Sequence, residues 1–434
     1  MSRPAENGIV RWLVVLLVAS VAVLPMISYG CSPEWARWDA TQANAFFRVG
    51  ETEDALYQLR DAIKKSPRDP VLKTTLAERL IEIDRGDEAL KLSGEVLEVY
   101  PDNAQAMKIK SLAQKSLGDF EASLETELKI DKHLHAYGRD ASSLNQLAYA
   151  RALANTDLHL AKEDIDIAIT ALNRGLTWPS AEELSLEVKA TMLASMVARS
   201  CDAQEEAIDA ISEQVKSWRE RLAAAKTELT GLVFNDLDDS FPIRQDIGML
   251  RRRQNLRSFE AQAAALLSCR ALLYQDIGDM ENCRNDRCEV NQFGYDSEDV
   301  LAHLPDDKVA LARLSMLSAF LDTRGFICSL LPWSEDADKL PMDQHFVSSY
   351  ANAIKDLNTA VFCREMARKS IDSRLWNTME PLDVELQRKN MNLYSAIMLY
   401  HRQTLLQRRG KHDLAKQDEE KIRNLGFEPG DKLY

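Results

Sequence analysis

Residues 50–67 read GETEDALYQLRDAIKKSP, and residues 84–101 repeat the pattern as DRGDEALKLSGEVLEVYP. A third copy begins at residue 118 with GDFEAS, so the step between copies is 34 residues. Small side chains keep the same step at two positions, which are Ala43, Ala77 and Ser111, and then Ala55, Ala89 and Ser123. Periods of this length are typical of solenoids, in which a helix pair buries its apolar face only by stacking on its neighbours. The sequence therefore predicts an all-α fold of stacked helix pairs.

The first copy shows how each pair is expected to form. A first helix over residues 35–49 ends at Gly50, and a second helix follows over residues 52–65. Pro67 lies just beyond the second helix, and its ring cannot continue a helix. The recurring small residues mark the places where the two helices of a pair are expected to cross closely.

Three segments, VGETEDALYQLRDAIKKSP, RGDEALKLSGEVLEVYPDN and KSLGDFEAS, resemble the tetratricopeptide repeat (TPR) family in the spacing of their turn and small residues. The resemblance implies a right-handed α-solenoid of helix-turn-helix repeats, with three regular repeats over residues 36–137. Residues 138–230 resemble degenerate TPR-like helix pairs. A spacer is predicted at 231–256. Further TPR-like repeats are predicted at 257–430, with an insertion at about 332–347.

The N-terminal segment predicts a membrane helix. After a short tail at residues 1–11, no charged residue occurs between Trp12 and Pro33. A helix of this length spans about 33 Å, enough for a hydrocarbon core of about 30 Å. Residues 12–30 are therefore predicted to form a transmembrane or signal-anchor helix, and a retained anchor, a cleaved signal peptide and lipidation at Cys31 all stay open. The prediction is a single-pass membrane protein whose large domain is exported to the periplasmic side, resembling bacterial membrane-anchored TPR-repeat proteins.

The composition limits the classes of partner. The chain has 54 Lys and Arg residues against 68 Asp and Glu, a formal net charge of −14. An acidic chain without a long basic run argues against nucleic acid as the main partner. Seven cysteines are few for the length of the chain, and their number is odd, which argues against a dense disulfide scaffold. Four of them stand among apolar helical neighbours and are predicted to be core residues: Cys201, Cys269, Cys328 and Cys363.

A search for catalytic motifs finds none of the common ones. The chain contains no glycine-rich phosphate loop, no G-x-S-x-G and no H-E-x-x-H. Cys283 and Cys288 are five residues apart, which is a poor spacing for a metal, although a zinc site or a disulfide that includes Cys269 stays open. We therefore predict no catalytic residue, no cofactor and no metal.

By resemblance to the TPR family, a ligand is expected on the concave face, which the first helix of each pair lines. The residues predicted there are Asn44, Phe47, Arg48, Glu78, Ile81, Glu82, Lys108 and Lys115. Polar side chains with an aromatic anchor suit an extended peptide or a partner helix. The clamp that binds chaperone C-terminal tails would need Lys or Asn side chains at positions 40, 44 and 75 and basic side chains at positions 105 and 109. Only Asn44 fits, because the others are Ala40, Thr75, Gln105 and Ile109, so chaperone tails are not an expected partner.

Three functions are compatible with this pattern. The favoured one is a non-catalytic, membrane-anchored TPR scaffold or adaptor that holds protein or peptide partners, membrane-associated ones included. The second is a regulatory protein or small-ligand sensor with a pocket between two TPR blocks, at about 178–256. The third is an unrecognised enzyme, because solenoids present carboxylates and histidines freely.

Overall fold

The structure, a computed structural model, describes residues 33–134, 139–174, 184–201, 203–235, 242–331, 349–373, 376 and 381–428. Every regular secondary-structure element in these ranges is helical. The chain divides into two compact units, Met1–Gly138 and Arg139–Tyr434. The division falls one residue after the predicted end of the three regular repeats.

Six helices, arranged as three consecutive pairs, form the described part of the first unit. They are α1 (Pro33–Arg48), α2 (Thr52–Lys65), α3 (Pro70–Glu82), α4 (Gly86–Val99), α5 (Ala104–Ser116) and α6 (Phe120–Leu134). The second helix of each pair begins at residue 52, 86 and 120, so the 34-residue step of the sequence is also the step of the helices. The paired-helix repeat predicted from the sequence is confirmed.

The turn inside each pair repeats the same backbone conformation. Gly50, Asp84 and Gly118 stand 34 residues apart and have φ angles of 83°, 58° and 77°. This left-handed region carries little cost for glycine and is tolerated by aspartate. Between pairs, the side chains of Asp69 and Asn103 accept hydrogen bonds from the backbone N–H of Val71 and Ala106 at 2.9 and 2.8 Å, capping α3 and α5.

The small residues of the repeat lie where the helices approach each other. All six are buried, with exposed fractions of 0–1%: Ala43, Ala77, Ser111, Ala55, Ala89 and Ser123. Leu56, Leu59 and Leu80 are fully buried around them. A larger side chain at these positions would push the paired helices apart, and this is why the sequence keeps small residues at a fixed step.

Eleven helices make up the described part of the second unit. They are α7 (Ala141–Leu153), α8 (Leu158–Asn173), α9 (Leu186–Ala198), α10 (Gln204–Asn235), α11 (Pro242–Asp276), α12 (Met280–Gln292), α13 (Ser297–Leu301), α14 (Asp307–Leu330), α15 (Tyr350–Lys369), α16 (Pro381–Arg408) and α17 (His412–Asn424). A short 3₁₀ turn, Ser370–Asp372, follows α15. The four cysteines predicted to be core residues are all buried here, with exposed fractions between 0% and 8%.

Arginine–aspartate clasps hold several of these helices to one another. Arg270 of α11 donates two hydrogen bonds to the carboxylate of Asp286 in α12, at 2.8 and 2.7 Å. Arg402 of α16 makes the same two bonds to Asp418 in α17, at 2.9 and 2.6 Å. Such bidentate pairs fix the relative orientation of the two side chains in addition to stabilising their contact. The helix pairs of the second unit are therefore locked by polar contacts in addition to apolar packing.

The predicted spacer at 231–256 is largely helical in the structure. Helix α10 continues through Asn235, and α11 begins at Pro242. Proline fits well in the first turn of a helix, where its missing N–H costs no hydrogen bond. Residues 236–241, between these two helices, lie outside the described residues. The predicted insertion at 332–347 lies outside them as well.

The predicted single-pass membrane localisation is contradicted. Within the described ranges, no helix is both long enough and apolar enough to cross a bilayer. The longest described helix, α11, carries three consecutive charged residues at Arg251, Arg252 and Arg253, and such a cluster is costly in hydrocarbon. The segment 12–30, from which the localisation was predicted, lies outside the described residues.

Candidate functional site

The predicted binding residues all lie on the first helices of the three pairs in the first unit. Asn44, Phe47 and Arg48 are on α1, Glu78, Ile81 and Glu82 are on α3, and Lys108 and Lys115 are on α5. Because these helices are spaced by one repeat, their corresponding faces recur from pair to pair. The structure shows which of these side chains meet and which do not.

Arg79 of α3 connects three of the predicted residues. Its Nη1 donates to both carboxylate oxygens of Glu82, at 2.7 and 2.8 Å, and its Nη2 donates to Oδ1 of Asn44 at 3.3 Å. Its guanidinium carbon lies 5.3 Å from the centroid of the Phe47 ring, in a cation–π arrangement. We call Asn44, Phe47, Arg79 and Glu82 the Arg79 cluster. It joins α1 to α3.

The Arg79 cluster is preorganised because its central cation is held from several sides. The side chain of Arg79 is 24% exposed and that of Glu82 is 50% exposed. Phe47 packs its ring against the apolar core of the unit. A side chain that is already fixed loses little conformational entropy when a partner binds. The cluster therefore places polar groups beside the aromatic ring of Phe47.

Arg79 itself was missed by the sequence analysis. Two features of the sequence could have pointed to Arg79. It lies three residues before Glu82 on the same helix, a spacing at which side chains of opposite charge meet, and it follows Glu78 directly. Its contact with Asn44 spans 35 residues of sequence. No local pattern predicts a contact of that separation without the three-dimensional placement of α1 beside α3.

A second contact extends the polar surface from α3 to α5. The amide Nε2 of Gln105 donates a hydrogen bond to Oε1 of Glu78. Lys108 lies one turn further along α5, is exposed, and has no ion pair within the described residues. The Arg79 cluster, the Glu78–Gln105 bond and Lys108 form a polar row across α1, α3 and α5.

Two of the predicted residues are less accessible than expected. Ile81 packs against the apolar core of the first unit. Burial lowers the pKa of Lys115, and the nearby Glu127 carboxylate partly opposes this effect. Arg48, in contrast, is exposed at the end of α1. Of the five chaperone-clamp positions, Ala40 and Ile109 are buried core residues, at 8% and 1% exposed.

One histidine–carboxylate pair occurs in the core of the second unit. Nδ1 of His401 lies 3.0 Å from both carboxylate oxygens of Asp322, and its ring stacks on Phe326 with centroids 4.2 Å apart. His401 is 3% exposed and Asp322 is 5% exposed. An acid–base catalyst must reach its substrate. This enclosed pair is suited to holding α16 against α14.

The metal and disulfide alternatives around Cys283 receive no support from the described part of the chain. There, no group of three or more His, Cys, Asp or Glu side chains is placed to hold a metal ion. Cys269, Cys283, Cys288 and Cys363 carry free thiols. The polar row of the first unit contains several of the residues that the sequence analysis predicted as a binding surface, and their binding role stays a prediction.

Comparison with known proteins gives distant similarity only. No protein-family model and no curated protein sequence matches the chain. Among solved structures, yeast Tom70 matches over 90% of this chain and 76% of its own, with 15% identity and a TM-score of 0.25. Naa15/Naa10 bound to HypK-THB matches over 94% and 72%, with 12% identity and a TM-score of 0.27. A human IFIT1 dimer with PPP-AAAA matches over 88% and 81%, with 12% identity and a TM-score of 0.22.

At TM-scores this low, the matches support no conclusion about what this chain binds. The description of the fold therefore rests on the chain's own helices. Three helix pairs at a 34-residue step, with small residues buried at each crossing, are its direct basis.

Proposed function

We propose that the chain is a TPR-type repeat scaffold whose first unit binds a protein or peptide segment across α1, α3 and α5. The observation that carries the proposal is the polar row that runs over the first helices of all three pairs. The bound segment is an extended peptide or a helix of the partner, because both present side chains at intervals that a repeated surface matches.

The chemistry of the row favours a partner with mixed polar groups. Arg79 is already paired with Glu82, so the cluster offers hydrogen-bonding groups and an aromatic ring more than net charge. Lys108 adds one exposed positive charge on α5. With a net charge of −14 over the whole chain, the proposed partner is a protein and not nucleic acid.

We further propose that the role is binding and not catalysis. This is supported by the enclosure of the Asp322–His401 pair, whose two side chains are buried in the second unit. The absence of common catalytic motifs in the sequence supports the same view. The alternative of a small-ligand sensor is favoured by a different observation, a charged pocket in the second unit.

The proposal is tested by quantitative crosslinking of the full chain in the cells that produce it. Proteins captured by the wild-type chain are identified and quantified by mass spectrometry, and the same is done for Asn44→Ala and Lys108→Ala. Each substitution is expected to reduce capture of the same partner by at least about fivefold, which corresponds to about 1 kcal/mol, the usual threshold for an important interface residue.

The matched control is Lys64→Ala. Lys64 is an exposed lysine on α2, the second helix of the first pair, and it lies outside the polar row. This variant removes the same charge and side chain as Lys108→Ala and is expected to keep wild-type capture. Equal capture by all variants would refute the placement of the binding surface. Equal loss in Lys64→Ala and Lys108→Ala would show nonspecific charge attraction.

A further inference from the structure

A pocket of about 200 Å³ lies between α15, α16 and α17 in the second unit. Three cationic side chains line it, Arg364 and Arg368 one turn apart on α15, and Lys421 on α17. Glu365 is the one carboxylate among the lining residues. The pocket wall therefore carries a net charge of +2, in a chain whose formal net charge is −14.

Arg364 is buried without an anionic partner. The residue is 7% exposed, and its Nε is enclosed and has no hydrogen-bond partner. Within the described residues its guanidinium makes no ion pair, and it lies 5.3 Å from the ring centroid of Tyr394. Burial lowers the pKa of Arg364, and electrostatic interactions with Tyr394 and Asp322 partly oppose this effect.

The other deeply placed arginines of the second unit behave differently. Arg270, Arg324 and Arg402 each make a bidentate pair with an aspartate, at distances between 2.6 and 2.9 Å. A buried charge is costly unless it is paired and hydrogen-bonded. Arg364 differs from these three arginines in having no paired carboxylate within the described residues, and it lines the pocket. An anion in the pocket would supply the missing partner.

The charge and size of the pocket define the anion. A phosphoryl group carries a charge of about −1.5 to −2 at neutral pH and offers three acceptor oxygens. This charge matches the net +2 of the wall, and the planar guanidinium suits phosphate geometry. The pocket is smaller than the usual range of about 300–1,000 Å³ for drug-sized ligands. Three apolar residues, Val361, Leu399 and Leu425, provide contacts for a small organic part.

We propose that this pocket binds the phosphoryl group of a small ligand, with Arg364 as the buried anchor and with Arg368 and Lys421 at the sides. Two guanidinium nitrogens of Arg364 each donate a charge-assisted hydrogen bond to a phosphoryl oxygen. Arg368 shares its charge with Glu365, whose Oε1 lies 3.8 Å from Arg368 Nη2, and therefore contributes less. The proposal concerns the second unit and does not depend on the partner-binding role of the first.

The test is isothermal titration of the full chain with inorganic phosphate as the probe, and with sulfate and acetate at the same ionic strength. The wild-type chain is expected to bind phosphate saturably at one site with a millimolar or lower dissociation constant. Sulfate, a dianion of similar shape, is expected to compete, and acetate is not. Arg364→Met is expected to raise the phosphate dissociation constant by at least about tenfold, because it removes the buried charged donor.

The matched pair of variants is Lys421→Gln and Lys416→Gln. Both lysines are on α17 and both are exposed, but only Lys421 lines the pocket. Lys421→Gln is expected to weaken phosphate binding by about threefold, and Lys416→Gln is expected to leave it unchanged. Equal weakening by the two variants would show general charge attraction and would overturn the proposal. Tighter binding of acetate than of phosphate would overturn the phosphoryl assignment.

Thermal unfolding separates a ligand-binding role of Arg364 from a structural one. Without phosphate, Arg364→Met is expected to unfold at the same temperature as the wild-type chain or higher, since an unpaired buried charge is removed. Phosphate is expected to raise the unfolding temperature of the wild-type chain only. A lower unfolding temperature with unchanged phosphate affinity would overturn the proposal. If Arg364→Met does not fold, Arg368→Gln, at a half-exposed position, is the second variant, and unchanged affinity in it and in Lys421→Gln would overturn the proposal as well.

Discussion

Gly325 in α14 lies at a close approach between two helices of the second unit, and its replacement by alanine tests that approach. A Cβ atom at this position would lie 2.7 and 2.9 Å from Cγ and Cδ2 of Leu357, and 3.2 Å from the carbonyl oxygen of Ala353. Both neighbours are on α15. Leu357 is fully buried and cannot swing into solvent, and the Ala353 contact is with backbone. The added methyl group therefore has no free space.

Two opposing effects set the magnitude for Gly325→Ala. Alanine stabilises a helix interior by about 1 kcal/mol relative to glycine. Overpacking a core by one methyl group costs about 1–3 kcal/mol. With a buried leucine and a backbone atom both in the way, we take about 2 kcal/mol for the clash. The expected net effect is then a loss of about 1 kcal/mol.

The control is Gly94→Ala in α4, where an added Cβ has no atom within 4 Å. This change is expected to stabilise the helix by about 0.5–1 kcal/mol, because only the conformational term applies. The assay is hydrogen exchange measured by mass spectrometry. Exchange over residues 307–330 and 350–369 is expected to become about fivefold faster in Gly325→Ala, and exchange over α4 is expected to slow in Gly94→Ala. Equal slowing in both variants would refute the close approach of α14 and α15.

Two further predictions concern buried polar groups. Ser111→Ala, which restores the residue type of the first two repeats, is expected to lower the free energy of unfolding in urea by about 1–3 kcal/mol. The reason is that Oε1 of the buried Glu127 loses its donor, which lies at 2.6 Å; a change near zero would contradict this. In thiol labelling by iodoacetamide at pH 8, Cys288 is expected to react in the native protein because it is exposed. Burial raises the pKa of Cys269 and of Cys363 to about 12, so both stay protonated and are expected to react only in denaturant.

The sequence predicted the parts of the fold that depend on local repetition. Buried small residues and turn residues recur at a fixed step, so Ala43 and Ala77, or Gly50 and Gly118, can be compared directly along the chain. Local repetition gives no answer where one residue type has two structural uses. Proline can follow the end of a helix or begin one, and Pro242 begins α11.

The polar sites were harder to predict because each depends on contacts between distant residues. Arg79 joins α1 to α3 through a partner 35 residues away. In the second unit, Arg364 and Arg368 are visible as a pair one turn apart on a helix, but Lys421 comes from another helix more than fifty residues later. Moreover, Arg364 is distinguished by having no anionic partner within the described residues. A lack of this kind is visible only once the surrounding side chains have been placed.

The arginine–aspartate clasps explain how the repeat continues where the sequence pattern is weak. Arg270 and Asp286 are 16 residues apart, and Arg402 and Asp418 have the same separation. In each pair a glycine with positive φ, Gly278 or Gly410, stands eight residues after the arginine, at the turn between the helices.

All three positions of the second clasp therefore lie 132 residues after those of the first. The two helix pairs, α11–α12 and α16–α17, are in this respect copies of one unit. In the first unit the register of a pair is set by small side chains, which recur at a fixed step and can therefore be recognised as a sequence repeat. In these later pairs it is set by a charged clasp across the helices, which leaves the remaining positions free to diverge.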